Sequence, residues 1–362
     1  MTSVLSGSYA SSDVQFLLKP VTMATTEVSE KERLIQSGTC HYSEMIGEEA
    51  LPDSDYMDLF HAAFNANAKR LAVDLSRLAS ALAFRHPDGM VLASLARAGT
   101  PPGVILHRLL ADRGAHSPHY SISIIRDRGV DTVAIDHIRD KHPNLPIVFI
   151  DGWTGKGTMA RELQRYIDAY NTERGTALDP GLVVVTDLCG EAALAATDED
   201  YLIPSGILGG IVSGLVSRSI LNNKVVGPGD FHACTVLEHL KPHDLSRWFV
   251  DTVTELARAN RTEADRAPPC RVFQASGRSA IIRLMALLAE HYGITDKGRI
   301  KPGIGEATRA LLRRVPKAIV VRDIHGSQVR HLVHLARKRG ADVHEDKNLP
   351  CETVALIQEV GS

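Results

Sequence analysis

Short apolar runs alternate with longer stretches of helical periodicity between residues 90 and 190. Met90-Val-Leu-Ala-Ser-Leu-Ala96 reads as a buried strand, followed by a glycine turn and a helix near Gly103–Arg113. Tyr120-Ser-Ile-Ser-Ile-Ile125 is a second strand by its β-branched content. Val133–Lys141 has a helical pattern, Pro146–Ile150 is a third strand, Thr158–Asn171 a helix and Gly181–Thr186 a fourth strand. Strands alternating with helices predict βαβ units around a parallel sheet.

Thr262–Cys270 contains a double proline after the helical pattern of Trp248–Asn260, and reads as a linker. Beyond it the alternation resumes on a smaller scale. Helices are expected over Ser279–His291, Glu306–Arg314 and Gln328–Arg339, with strands at Lys317–Arg322 and Ala341–His344. These predict a C-terminal α/β sandwich of about ninety residues, the size of a small domain. The run Leu202–Leu221 is rich in Ile, Leu, Val, Gly and Ser but holds Pro204 and Arg218. Its apolar core falls short of the roughly 20 residues a membrane span needs, so a buried small-residue helix is expected.

At 44% hydrophobic and 23% charged residues the chain has the balance of a globular protein. Aromatics are only 5%, which disfavours a sugar cleft built from stacked rings. The net charge of −2 conceals an asymmetry. Residues 271–362 carry 16 Lys and Arg against 9 Asp and Glu, a balance of +7; residues 1–270 carry 25 against 34, a balance of −9. A basic terminal domain suggests a polyanionic partner, with a solvated Arg-rich helix face as the plainer reading. Cys40, Cys189, Cys234, Cys270 and Cys351 are widely spaced, without a C-x-x-C, and read as reduced thiols. No basic and apolar leader opens the chain, so a cytoplasmic location is expected.

The segment Ile147-Val-Phe-Ile-Asp-Gly-Trp-Thr-Gly-Lys-Gly-Thr158 predicts a phosphate cradle, since a glycine-rich turn leads from a strand into the free N–H groups of a helix. It lacks the spacing of a Walker A loop, and an ordinary tight βα turn is the alternative. Two elements earlier, Arg97-Ala-Gly99 follows another strand, and Arg126-Asp-Arg128-Gly lies between them. Together these segments resemble the PRPP loop, pyrophosphate loop and mobile active-site loop of type I phosphoribosyltransferases. The resemblance implies that Asp151 holds a ribose hydroxyl and that Thr154, Gly155, Lys156, Gly157 and Thr158 hold the 5′-phosphate. It assigns the diphosphate, with Mg²⁺, to Arg97, Ala98 and Gly99, and leaving-group charge to Arg126 or Arg128. The second acid of that family's pair is Gly152 here, followed by Trp153.

Ser6-Gly-Ser-Tyr9, Asp13-Val-Gln-Phe-Leu-Leu-Lys19, Glu30-Lys-Glu32, Leu34-Ile-Gln-Ser-Gly38, His41-Tyr-Ser-Glu-Met45, Tyr201-Leu-Ile-Pro-Ser205 and Asp230-Phe-His232 resemble the StiP family over nearly the entire chain. That resemblance implies a phosphoribosyltransferase-like α/β domain fused to a Pelota-type RNA-binding domain. It also implies tellurium-resistance and stress operons, and a role in making a nucleoside-like metabolite. The expected boundaries are an N-terminal extension at 1–50, the sheet domain at 51–261, a linker at 262–270 and the Pelota-type sandwich at 271–362.

In the C-terminal domain, Gly303, Gly305, Glu306, Arg309 and Arg313 resemble the RNA-contacting helix start of Pelota proteins, with Gly305 where an asparagine is usual. A helix N-terminus brings backbone donors to phosphates; a capped amphipathic helix is the plainer alternative. The StiP family also carries a cysteine-protease label. Cys40–His41 has poor geometry if extended, whereas Cys234 and His232 would share a face. His41 and His232 are alternatively acid–base groups over a bound sugar. The histidine spacing indicates no zinc site. The expected function is a phosphoribosyltransferase-like enzyme; a cysteine peptidase and a non-catalytic sensor of a phosphorylated nucleoside or RNA are the alternatives. A homo-oligomer stays open and no membrane partner is expected.

Overall fold

The protein is described by a computed structural model covering residues 5–267, 269–271 and 275–359. Pro268, in the expected linker, lies outside the described residues. Six strands form one sheet in the order Gln15–Phe16, His119–Ile122, Val91–Leu95, Ile147–Thr154, Leu182–Asp187 and Leu194–Thr197, every neighbouring pair parallel. Alternate residues of the central strands feed two cores, as the two-residue period of a strand demands. Val148, Ile150, Val183 and Val185 pack with helices Ser54–Arg85, Thr100–Ala111 and Ser246–Ala259. Ile147, Phe149, Leu182 and Val184 pack with helices Thr132–Lys141 and Thr158–Arg174 on the other side.

The fold is therefore the expected α/β arrangement around a parallel sheet, with four departures. The expected strand Tyr120–Ile125 leaves the sheet after Ile122, and Ile124–Ile125 pair instead with Gly129–Val130. The strand expected to end at Ile150 runs on to Thr154, because Trp153 and Thr154 continue to pair with Thr186 and Asp187. The run Leu202–Leu221 is buried but not one helix. It forms a single turn at Ser205–Leu208 and a 3-10 turn at Gly209–Val212, broken by positive φ at Gly209, Gly214 and Leu215. Residues 262–266 of the expected linker belong to helix Arg261–Arg266, which an ion pair between Lys69 and Glu263 (2.8 Å) ties to helix Ser54–Arg85.

The C-terminal domain has a four-stranded sheet in the order Ile300–Pro302, Thr353–Ile357, Pro316–Val321 and Asp342–Glu345. Pro316–Val321 pairs parallel with Asp342–Glu345, and Thr353–Ile357 pairs antiparallel with both its neighbours. Helices Ala275–Tyr292, Ile304–Arg313 and Arg330–Lys338 complete it. Among the described residues, no helix is long and apolar enough to cross a membrane.

The two domains are joined by more than the chain. Asp200 accepts the N–H groups of Ile304 (3.0 Å) and Glu352 (2.8 Å), satisfying a free donor at a helix start. The N-terminal extension touches both domains. Its strands Gln15–Phe16 and Lys19–Pro20 pair with His119–Ile122 and Ala233–Cys234, while Glu32 of helix Val28–Gln36 binds Arg314 (2.8 Å); just past the extension, Asp53 binds Lys338.

Candidate functional site

The loop between Thr154 and helix Thr158–Arg174 has the expected shape, with Gly157 at φ 73° just ahead of the helix. It is engaged from within the chain. Glu306, at the start of helix Ile304–Arg313, accepts the Lys156 backbone N–H at 3.0 Å. A Cβ on Gly155 would stand 2.6 Å from the Glu306 carboxylate and from the Pro302 carbonyl. The Lys156 ammonium donates to the carbonyls of Lys297 and Ile300, both at 3.2 Å, and Thr154 donates its hydroxyl to Asp187. A carboxylate thus takes a donor that a phosphate oxygen would otherwise take.

The next contacts explain two departures noted in the sequence together. A Cβ on Gly305 would lie 2.1 Å from the indole of Trp153, so the bulky residue after Gly152 and the glycine at the Pelota-type helix start meet each other. Arg309 stacks over the same indole, its Cζ 4.6 Å from the ring centroid. Asp151 is buried and accepts the Gly152 N–H at 2.8 Å. Burial raises its carboxyl pKa, against the opposing pull of Arg309.

Beside this contact lies a cavity of about 480 Å³, lined by Arg97, Arg218, Arg309, Arg313, Lys31 and Trp153 among others. That volume is in the range of small-molecule sites. Arg97 follows the strand Val91–Leu95 across a cis Ala96–Arg97 peptide. Its guanidinium pairs with Glu49 (2.5 Å) and donates to the Val216 carbonyl (2.7 Å), leaving its buried Nε without a partner among the described residues. Gly99 is required here, because a Cβ would come within 2.3 Å of the Ile150 carbonyl oxygen. Arg218 also has a buried nitrogen, Nη1, without a partner.

Burial, and then repulsion from Arg97, pushes Arg313 down to about 9. Burial likewise pushes Arg218 down to about 10, and it lowers Arg309. Basic side chains in the lining outnumber its carboxylates, Glu48, Glu49 and Asp53. An anion of high charge density would relieve that imbalance.

Of the other expected site residues, Ala98 lines the cavity, while Gly99, Asp151, the loop Thr154–Thr158, Arg126, Arg128, His41 and His232 are outside its lining. The expected mobile loop is a short hairpin, Ile124–Ile125 paired with Gly129–Val130, with Asp127 at φ 66°. Arg128 pairs with Glu44 (2.7 Å), Arg126 with Asp127 (2.9 Å), and the Arg126 N–H donates to the Tyr42 hydroxyl (2.8 Å). His41 Nδ1 bonds the Ser43 hydroxyl, and His232 Nδ1 bonds the Ser123 hydroxyl, each at 2.8 Å. The RNA-type residues Glu306, Arg309 and Arg313 point into the interdomain contact, and a Cβ on Gly303 would meet Leu188 of the first domain at 2.5 Å. Lys31, Glu49 and Arg218 were not singled out as site residues in the sequence; Arg218, a lone charge in an apolar run, was the one visible signal.

The thiols are poorly placed for nucleophilic work. Burial pushes Cys234 and Cys351 up to about 12, and burial with the Asp187 carboxylate does the same to Cys189. A catalytic thiol needs the opposite shift. Among the described residues no cysteine sulfur hydrogen-bonds a histidine: Cys189 contacts Thr154 and Asp187, and Cys351 the Thr353 carbonyl. The expected Cys234–His232 pair is therefore not formed; the His232 ring turns to Ser123.

Comparison with known proteins bears on the whole chain. The family model described as tellurite-like stress resistance cysteine protease StiP matches residues 7–254, and that of the PELOTA RNA binding domain matches residues 279–359. A curated protein of Acinetobacter baylyi named Cysteine protease StiP is 40% identical over 98% of this chain and 95% of its own. Among solved structures, a hypoxanthine phosphoribosyltransferase from Trypanosoma cruzi complexed with IMP is 13% identical, covering 55% of this chain and 90% of that one at a TM-score of 0.28. The HGPRT-ase from Leishmania tarentolae in complex with GMP is 16% identical over 41% and 81%, at 0.26. Structural likeness at that level carries no argument here; the sequence matches do, and the chain belongs to the StiP family.

Proposed function

We propose that the protein is a phosphoribosyltransferase-like enzyme that binds PRPP or a ribose phosphate in the arginine-lined cavity between its domains. The observation that carries this reading is the convergence of Arg97, Arg218, Arg309 and Arg313 on one cavity with unpartnered guanidinium nitrogens at Arg97 and Arg218. The diphosphate belongs against Arg97, Ala98 and Gly99. The ribose lies toward Asp151, and the 5′-phosphate competes with Glu306 for the loop Thr154–Thr158. Positive charge fixed at the leaving group is the form of catalysis such a site can supply.

Mg²⁺ enters this reading with the ligand. Among the described residues no group of three or more His, Cys, Asp or Glu side chains is disposed to hold a metal. Magnesium bound through phosphates needs only one or two protein carboxylates. The carboxylates in the cavity lining are Glu48, Glu49 and Asp53, and of these Glu49 is paired with Arg97 and Asp53 with Lys338. The metal would neutralise diphosphate charge.

The C-terminal domain then has two duties. It closes the cavity with Arg309 and Arg313, and RNA would reach that same helix face only after the domain moves aside. A role in stress or tellurite resistance agrees with the family's name, and a product of nucleoside type follows from the proposed chemistry alone.

Calorimetry with PRPP, ribose 5-phosphate and pyrophosphate, together with pyrophosphate release from PRPP, Mg²⁺ and candidate bases, tests the reading. Turnover supports the enzyme; binding lost in Arg97→Met without turnover supports a sensor; no binding sinks both. A cysteine peptidase is the second reading, favoured by the relative's printed name. With Cys189, Cys234, Cys270 and Cys351 all raised, burial being the first cause in each, it falls to half-buried Cys40 beside His41. A peptide-based thiol-trapping probe that labels Cys40, with labelling lost in His41→Ala, would establish it.

A further inference from the structure

Helix Val28–Gln36 of the N-terminal extension is exposed or half-exposed except at Lys31 and Glu32. Glu32 is fully committed, its two oxygens held by Arg314 and one also by Gln36. Lys31 is different. It is 8% exposed and lines the interdomain cavity, and among the described residues its ammonium makes neither an ion pair nor a hydrogen bond. The side chain reaches past Gly47, where a Cβ would stand 3.1 Å from Nζ.

A buried lysine without a carboxylate is costly to keep charged, and structural lysines are normally paired or reach for solvent. The charged groups acting on Lys31 are Arg218 from the loop after the main sheet, Arg313 and Arg314 from the C-terminal helix, and Glu32 from its own helix. Three of these four are positive. Burial, then Arg218 and Arg313, pushes the amine down to about 8. About a tenth of it is then neutral at pH 7, against well under a thousandth for an ordinary lysine. A desolvated amine beside other cations is the arrangement that makes a lysine a nucleophile toward carbonyl carbon.

We propose that Lys31 captures the open-chain aldehyde of a phosphorylated sugar as an imine, with the arginines of the same cavity holding the phosphate. The neutral Nζ adds its lone pair to the aldehyde carbon, and the carbonyl oxygen takes a proton to give a carbinolamine. Loss of that hydroxyl with a proton, as one water, leaves the imine; no oxidant or reductant is consumed. The cavity thereby accepts a free sugar phosphate as well as an activated one, and holds it covalently but reversibly. The inference rests on the phosphorylated-ribose reading of the cavity.

The test uses the full chain with ribose 5-phosphate and cyanoborohydride, which reduces an imine to a stable secondary amine, followed by peptide mass spectrometry. The expected result is a saturable adduct on Lys31, suppressed at least tenfold by pyrophosphate and absent from Lys31→Arg, which keeps the charge. Unphosphorylated ribose labels Lys31 no faster than exposed lysines such as Lys347. Calorimetry on the same samples separates the two ideas. Ribose 5-phosphate that binds without a Lys31 adduct overturns this inference and leaves the binding reading standing. Labelling spread over exposed lysines and indifferent to pyrophosphate overturns it as well. No binding of either anion overturns both.

Discussion

The Glu306 carboxylate accepts the Lys156 backbone N–H at 3.0 Å, so a side chain of the C-terminal domain rests on the loop Thr154–Thr158 that we propose for the 5′-phosphate. Its negative charge repels an incoming phosphate. Glu306→Gln keeps an acceptor but removes the charge, and should tighten pyrophosphate or PRPP binding by roughly fivefold, the equivalent of about 1 kcal/mol. Titration calorimetry of the variant against the native chain reads the change. Weaker binding would mean that Glu306 supports the ligand site instead of competing for it.

Gly305 has no room for a methyl group against Trp153. Gly305→Ala should destabilise the domain contact by about 1–3 kcal/mol, as overpacking does. Trp153→Ala opens space for that methyl, so the double variant should be less destabilised than the sum of the singles, with a coupling of about 0.5–3 kcal/mol. Urea unfolding of all four proteins measures it, and strict additivity would refute the contact.

Thiol titration of the native chain with a chromogenic disulfide at pH 8 should give fast reaction at Cys40 and slower reaction at Cys270. Cys189, Cys234 and Cys351 should react only on unfolding, being buried and raised to about 12. A fast signal lost in Cys234→Ser would restore that residue as a candidate nucleophile.

Asp200 joins the domains through the N–H groups of Ile304 and Glu352, and burial pushes its carboxyl up to about 7 from 3.8. Between those values the native state keeps a proton that the unfolded chain releases. Its contribution is therefore complete below about pH 4 and declines as the pH rises through 7. Asp200→Ala should cost about 1–3 kcal/mol by leaving two donors unsatisfied. The gap between native and variant stability should narrow from pH 4 to pH 8 in chemical denaturation, and a gap that widens with pH would contradict the assignment.

The alternation of strands and helices between residues 90 and 190 was legible because each element carries its own periodicity. The extension of the strand past Asp151 was not, since Gly152 reads locally as a turn and only pairing with Thr186 and Asp187 keeps it straight. Helix Ser54–Arg85 went unpredicted although Tyr56, Phe60, Phe64, Ala68, Leu71, Leu75, Leu78 and Leu82 recur at helical spacing. The run Leu202–Leu221 misled because hydropathy does not report that Gly209 and Gly214 adopt positive φ. In the site, Arg97, Arg309 and Arg313 stood beside recognisable turns. Lys31 lies in the family-like segment Glu30-Lys-Glu32, which says nothing of a cavity, and Glu49 belongs to no motif; both reach the cavity only through tertiary packing.

That cavity takes Lys31 and Glu49 from near one end of the sequence and Arg309 and Arg313 from near the other. Translation delivers the first pair early and the second almost last. During synthesis the sheet can pair and its helices can dock while the binding chamber still lacks a wall. On the proposed reading, ligand capture therefore waits for the finished polypeptide.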